Sequence, residues 1–183
     1  MSEIIGLIGG SGLGDVFEHQ MTKVQKVKVK TPFGQPSDKI IIGNFAGRKL
    51  AFVNRHGKGH VLNPSVVPFA ANIYALKKLG VTTVIATTAV GSLTAKMKPK
   101  DLVIVDQFID KTFKRKKTFF DGIAAVHCEM AKPCCERLRK IVADVSKSVK
   151  ATVHKSGTYV CMEGPQFSTR AESLMHKKWG GQL

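Results

Sequence analysis

Three short stretches of the chain carry groups suited to holding an anion. They are the glycine run Gly9, Gly10, Ser11 and Gly12, the pair Arg55 and His56, and the small hydroxylated turn Thr87, Thr88 and Ala89. An arginine presents a planar fork that matches two phosphate oxygens at once. Successive backbone N–H groups in a glycine loop form a concavity that takes negative charge. Each stretch also has a plainer reading. The glycines serve as a turn, Arg55 and His56 as a solvated pair, and the threonines as partners for a strand end. What links them is position, because each follows an apolar run: residues 4–8, 49–53 and 84–86. In open α/β sheets ligands gather at the carboxyl ends of strands. If the three strands lie side by side, Ser11, Arg55, His56, Thr88 and the amide of Ala89 converge on one phosphate-sized anion.

Other chemistries find less support. Counted from Gly10, a dinucleotide fingerprint would need glycine where Asp15 stands, and no phosphate-loop sequence ending in glycine, lysine and serine or threonine occurs. His127 stands beside Cys128 and Glu129, yet no second histidine or cysteine lies at ligand spacing, so no metal is expected. A cysteine–histidine nucleophile pair is equally weak.

The elements that must position these groups follow from pattern. A strand over 4–8 runs into the glycines, and a basic strand follows over 24–29. Two prolines and a glycine make Thr31 to Pro36 a turn segment. Strands 39–45 and 48–54 form a hairpin across Ala46 and Gly47. Asn63 and Pro64 start a helix that Gly80 stops, with Val66, Phe69, Ile73 and Leu76 on its inward face. Strand 82–87 then reads as a buried central strand, and 48–54, the helix and 82–87 as one crossover unit. A strand over 101–105 precedes a long irregular segment, 106–132. A helix over 133–149 turns Leu138, Ile141, Val142 and Val145 inward. Strand 158–161 leads to a helix beginning at Thr169, where Thr169 and Glu172 match a capping box.

The whole reads as a single domain over residues 1–183. No apolar run approaches the ~20 residues of a membrane span, and without a signal-like N-terminus a cytoplasmic (possibly also nuclear) protein is expected. Its four cysteines suit reduced thiols. The net charge of +16 favours anions of any kind. Its lysines are dispersed, apart from the run Lys114 to Lys117, and are not interleaved with aromatic residues, so a nucleic-acid partner is not expected.

Six stretches together give the chain a resemblance to the trimeric purine nucleoside phosphorylase superfamily, and within it to the methylthioadenosine phosphorylases. They are Ile8 to Leu13, Thr31 to Ser37, Asn54 to Gly57 with His60, Thr87 to Ser92, Val105 to Asp110, and Glu163 to Ser173. The resemblance implies a three-layer α/β fold, with a twisted mixed central sheet flanked by helices. It implies that Ser11, Arg55, His56, Thr88 and Ala89 bind phosphate. Phe167 and Ser168 would lie beside the purine, Ser168 favouring a 6-amino base, and His127 near the 5′ end of the ribosyl group. The implied reaction is phosphorolysis of 5′-methylthioadenosine to adenine and 5-methylthioribose 1-phosphate. Phosphate is the co-substrate, no metal or organic cofactor takes part, and the assembly is a homotrimer. Another purine nucleoside as substrate, or a non-catalytic phosphate-binding role, are the alternatives. The resemblance runs to about Gly180, with Gly180 to Leu183 departing from the family pattern and the fold expected to be incomplete at the C-terminus. The family's ribose-contacting Met-Thr pair and its aspartates that bind and protonate adenine are expected beyond this chain, and little turnover is expected from these 183 residues alone.

Overall fold

The computed structural model describes residues 3–183, with the backbone but not the side chain of Ser11. Its contacts divide the chain into two compact units. Among the described residues one comprises 3–89 and 115–119, the other 90–114 and 120–183.

The first unit is built on a five-stranded mixed sheet. Strands β1 (Ile4–Gly9), β2 (Thr22–Val27), β3 (Ile40–Phe45), β4 (Arg48–Asn54) and β5 (Val81–Ala86) stand in the order β2-β3-β4-β1-β5. β1 runs parallel to both β4 and β5, with Gly9 beside Asn54 and Ile8 beside Ala86. The three carboxyl ends are therefore level, as the strand patterns require. β3 and β4 form the expected hairpin, and both turn residues, Ala46 and Gly47, take positive φ. That suits the twist of a tight hairpin.

Alternation along β4 sends neighbours to opposite faces. Ala51 and Val53 pack with Ile40, Ala75, Leu76 and Val81, beneath helix α2 (Phe69–Lys78). Leu50 and Phe52 pack with Met21, Leu13 and Phe17, beneath helix α1 (Ser11–Gln20). Helix, sheet and helix make the three layers. Phe52 is wholly buried, and Gly14 is what admits it: a Cβ there would stand 2.8 Å from the ring.

Three expectations change here. The glycine run is not merely a turn, because α1 begins at Ser11, held by its apolar face on Phe52 despite its glycines. The helix before Gly80 starts at Phe69 rather than at Asn63 and Pro64. A 3₁₀ turn at Pro64–Val66 precedes it, and its buried face is Ala71, Asn72, Ala75 and Leu76, while Val66 and Ile73 are exposed. Alanines let a helix approach a sheet closely, so the larger residues point away. β5 is an edge strand of this sheet with Val84 and Ile85 exposed, and β1 lies between it and β4.

In the second unit, β6 (Leu102–Val103) pairs in parallel with β8 (Val153–His154), and β7 (Gln107–Lys111) with β9 (Thr158–Met162). β7 lies inside the stretch expected to be irregular. Its sequence alternates weakly, and pairing with β9 supplies what local pattern does not. Helix α3 (Glu136–Val145) is shorter than expected and leaves Ile141 and Val145 exposed. Helix α4 (Arg170–Lys178) starts at Thr169 with the capping box in place. After it the chain extends along β9: Gln182 donates its N–H to the Thr158 carbonyl, and Val160 donates to that of Leu183.

Replacing Phe52 by alanine should lower the free energy of unfolding by about 3–5 kcal/mol, the range for emptying a buried aromatic site. Urea denaturation measures it, and a loss under ~1 kcal/mol would mean that the ring is not the keystone of the α1 face.

Candidate functional site: an anion cradle at three strand ends

Beyond Gly9 the chain turns directly into α1. Gly10 is its N-cap in extended conformation, and the first bond of the helix runs from Gly14 N–H to the Gly10 carbonyl. The N–H groups of Ser11, Gly12 and Leu13 thus have no intrahelical acceptor. No acidic residue occupies the first turn. The positive end of the helix dipole therefore opens at the carboxyl edge of the sheet.

Arg55 follows β4 at the same edge, its N–H donating to the Gly9 carbonyl at 3.1 Å. Thr87 N–H donates to the Ile8 carbonyl at 2.9 Å, so the segment after β5 is tied to the same strand end. The guanidinium then bridges the two segments. Nη1 donates to the Thr87 carbonyl at 2.6 Å, and Nη2 to Thr88 Oγ1 at 3.1 Å. Thr88 Oγ1 lies 3.3 Å from the Ala89 carbonyl, which it reaches as donor. Arg55 Nε donates to His56 Nε2 at 3.1 Å, and His56 Nδ1 stands 2.8 Å from the Leu62 carbonyl. The His56 ring is buried and stacks on His60 with centroids 4.3 Å apart.

The structure therefore brings together Arg55, His56 and Thr88 by direct bonds, with Ala89 adjoining. The backbone of Ser11 opens α1 at this edge, and its side chain lies outside the described residues. Burial, and behind it the charges of Arg55 and His60, hold the His56 pKa below its ordinary 6.5, against the opposing hydrogen bond to Leu62.

Support for this edge comes from a residue that sequence reasoning passed over. Asn72, buried in α2, accepts the Ser37 N–H at 2.8 Å and donates to Ser37 Oγ at 2.8 Å. The Ser37 carbonyl in turn packs on Gly57, where a Cβ would come within 3.1 Å and where φ is +72°. Only glycine suits that conformation and that space. The segment from Thr31 to Ser37 is thus a wedge beneath the turn that carries Arg55 and His56. A lone asparagine on a helix gives no sequence signal for such a role. Its position on the same face as Ala75 and Leu76 is the one clue.

The remaining site residues fall in the second unit. His127 is exposed between β7 and α3, and Phe167 is 92% exposed before α4. Ser168 donates its hydroxyl to Met162 Sδ at 3.2 Å. Nearby, the buried Glu163 carboxylate accepts the backbone N–H groups of Phe113 and Lys114 at 2.8 and 3.1 Å, fixing the chain after β7. Among the described residues no group of three or more histidine, cysteine, aspartate or glutamate side chains is placed to hold a metal. No helix among them is long and apolar enough to cross a membrane.

The first unit is thus a three-layer α/β fold with an arginine bridging level parallel strand ends. The sequence model of the phosphorylase superfamily matches residues 4–183, and the chain belongs to that family. The match includes Gly180 to Leu183. There Gly181 is needed because a Cβ would meet Val160 at 2.4 Å. Among similar proteins, the S-methyl-5′-thioadenosine phosphorylase of Cereibacter sphaeroides is 49% identical over 180 residues, covering 98% of this chain and 61% of the relative. That of Thermococcus kodakarensis is 53% identical over 175 residues, covering 96% and 66%. The chain thus spans just under two thirds of the length of these relatives. Solved structures agree. A methylthioadenosine phosphorylase from an antarctic soil metagenomic library superposes with a TM-score of 0.90 at 45% identity, covering 99% of this chain and 63% of that one. The Schistosoma mansoni methylthioadenosine phosphorylase in complex with adenine gives 0.90 at 38% identity, covering 99% and 72%.

The lowered His56 pKa sets a direction for stability against pH. The unfolded imidazole binds its proton near 6.5 and the folded one only at lower pH. The neutral ring's contribution is therefore complete above that value and is lost as pH falls through it towards the folded pKa. Thermal melts from pH 8 to pH 5 should show the advantage of the wild type over His56→Gln shrinking with acidification. A constant gap would mean that His56 titrates alike in both states.

Proposed function

We propose that the protein is a pentosyltransferase that cleaves 5′-methylthioadenosine with inorganic phosphate, giving adenine and 5-methylthioribose 1-phosphate. The observation that carries this reading is the Arg55 guanidinium, held at three points beside the N-terminus of α1. An anion taken there meets positive charge and backbone N–H groups already in place. A preorganised site of this kind lowers the cost of binding and of charge development. The names of the relatives and structural neighbours favour a nucleoside as the second substrate.

In this reaction a phosphate oxygen attacks the anomeric carbon as the bond to the base nitrogen breaks. The electron pair leaves with adenine, which gains a proton. Positive charge grows on the ribosyl ring in between, and a dianion fixed on the face opposite the base both stabilises that charge and supplies the nucleophile. Arg55, Thr88, the amide of Ala89 and the first turn of α1, which begins at Ser11, orient the phosphate. Phe167 and Ser168 are assigned to the purine and His127 to the 5′ end of the sugar, on family resemblance. Phosphate is the co-substrate, no cofactor is required, the assembly is a homotrimer, and the compartment is the cytoplasm.

Adenine release from methylthioadenosine, measured with and without phosphate, tests the reaction. Thermal stabilisation by phosphate tests the cradle separately. Whatever release occurs should require phosphate, and release that ignores it would refute phosphorolysis. Arg55→Ala should weaken phosphate stabilisation by at least tenfold in concentration, since it removes charge-assisted bonds worth ~1.5–3 kcal/mol. An unchanged phosphate response in that variant would remove the cradle from the reading.

A further inference from the structure

Helix α3 leaves Leu138, Arg139, Val142 and Ala143 half-buried, and these residues form its inner face. Its other apolar residues face outward. Ile141, Val145 and Val149 are 47%, 58% and 48% exposed. Ile141 and Val145 stand one turn apart and so are neighbours on the helix surface. Val149 follows them after the 3₁₀ turn Ser146–Ser148. Single apolar residues scattered on a surface need no explanation, whereas a contiguous group marks a contact. β-Branched residues are also poor choices for an exposed helix position, because they give up side-chain freedom with no packing to offset the loss.

The charge around this row is one-sided. Residues 136–150 contain five basic side chains and two acidic ones. Both acids are answered within the segment. Arg139 Nη1 donates to the two Glu136 carboxylate oxygens at 2.7 and 2.8 Å, and Lys147 Nζ lies 3.3 Å from Asp144 Oδ1. The charges of Arg137, Lys140 and Lys150 are in excess. Arg137 stands one turn before Ile141, so a cation ends the apolar row. Arg139 Nη2 donates to the Lys155 carbonyl at 2.8 Å and fastens the chain after β8 to the helix. There Glu136, Arg139, Lys140, Ala143 and Lys155 line a shallow cleft of about 130 Å³. It lies beside the row, with two lysines at its edge.

We propose that the outward face of α3 docks an acidic amphipathic helix of a partner protein. Apolar residues of that helix, spaced three and four apart, bed along Ile141, Val145 and Val149. Its flanking carboxylates meet Arg137 and Lys140, and one of them reaches the cleft between Lys140 and Lys155. Charge complementarity selects this occupant. In a two-fold pairing of the chain with itself, the same cationic patch would face its own copy. A bilayer is a poorer match, since an interfacial helix is anchored by tryptophan, phenylalanine or leucine and this row has none.

The test uses a synthetic helical peptide with leucine at alternating three- and four-residue spacing and glutamate on the flanks. Its binding to the whole chain is followed by fluorescence anisotropy at low and at physiological salt. The peptide should bind, and the same peptide with lysine in place of glutamate should not. Ile141→Gln combined with Val145→Gln should weaken binding about tenfold or more at both salt concentrations. Glutamine is a better helix former than either residue, so melting curves should confirm that the variant is folded. Lys140→Glu should weaken binding chiefly at low salt, where screening is least. Lys177→Glu with Lys178→Glu makes a larger charge change on α4 and should leave affinity within about twofold. No binding of the glutamate peptide overturns the proposal, as does equal weakening by the α4 variant, which would reduce the effect to net charge. Two further outcomes replace the occupant and so overturn it too. One is failure of the peptide together with α3-dependent binding to phosphatidylserine vesicles. The other is self-association by sedimentation that the glutamine variant abolishes.

Discussion

The site depends on one electrostatic and geometric constraint: a single guanidinium spans the gap between two strand ends that do not pair with each other. β4 and β5 are separated by β1. Arg55 emerges from the first and bonds to the segment that follows the second. A lysine could supply the charge but not the bridge, because only the planar fork directs donors to a carbonyl, a hydroxyl and an imidazole together. The sheet brings the ends level, the wedge from Thr31 to Ser37 supports the turn, and α1 contributes its dipole. The guanidinium turns these parts into one cradle.

The strand ends were legible in the sequence because β-branched runs stop abruptly at glycine, arginine and threonine, and that punctuation survives folding. Helix α1 was not, since two glycines in its first four residues mask a helix made stable by Leu13 and Phe17 lying on Phe52. The inward face of α2 was misassigned for a related reason. Ranking residues by size favours Ile73, but close contact with a sheet selects Ala71 and Ala75. β7 escaped notice because its partner lies about fifty residues away at β9. The groups of the cradle could be named from types and positions. The Leu62 carbonyl beside His56 and the Asn72 anchor could not, for they are properties of the tertiary fold.

The basic run Lys114 to Lys117 belongs to packing as much as to surface charge. Arg115 stands 4.2 Å from the centroid of the Phe69 ring and Lys116 5.5 Å from that of Phe33, while Phe33 also meets Phe119 and Tyr74 edge-on. Cations laid over aromatic faces gain from the ring quadrupole. The one dense patch of positive charge in the sequence thus helps seat residues 115–119 on the first unit, against the same Phe33 that sits in the wedge segment.

That seating has a consequence for biosynthesis. Residues 115–119 are an insertion of late sequence into an early unit, whose other residues end at Ala89. A chain emerging from the ribosome, where the N-terminal part folds first, has every strand of the five-stranded sheet available once β5 is out. The Phe33 cluster must wait for Phe119, about thirty residues later. During that interval the nascent sheet exists with an unfinished aromatic surface, a natural station for a chaperone or for premature self-association.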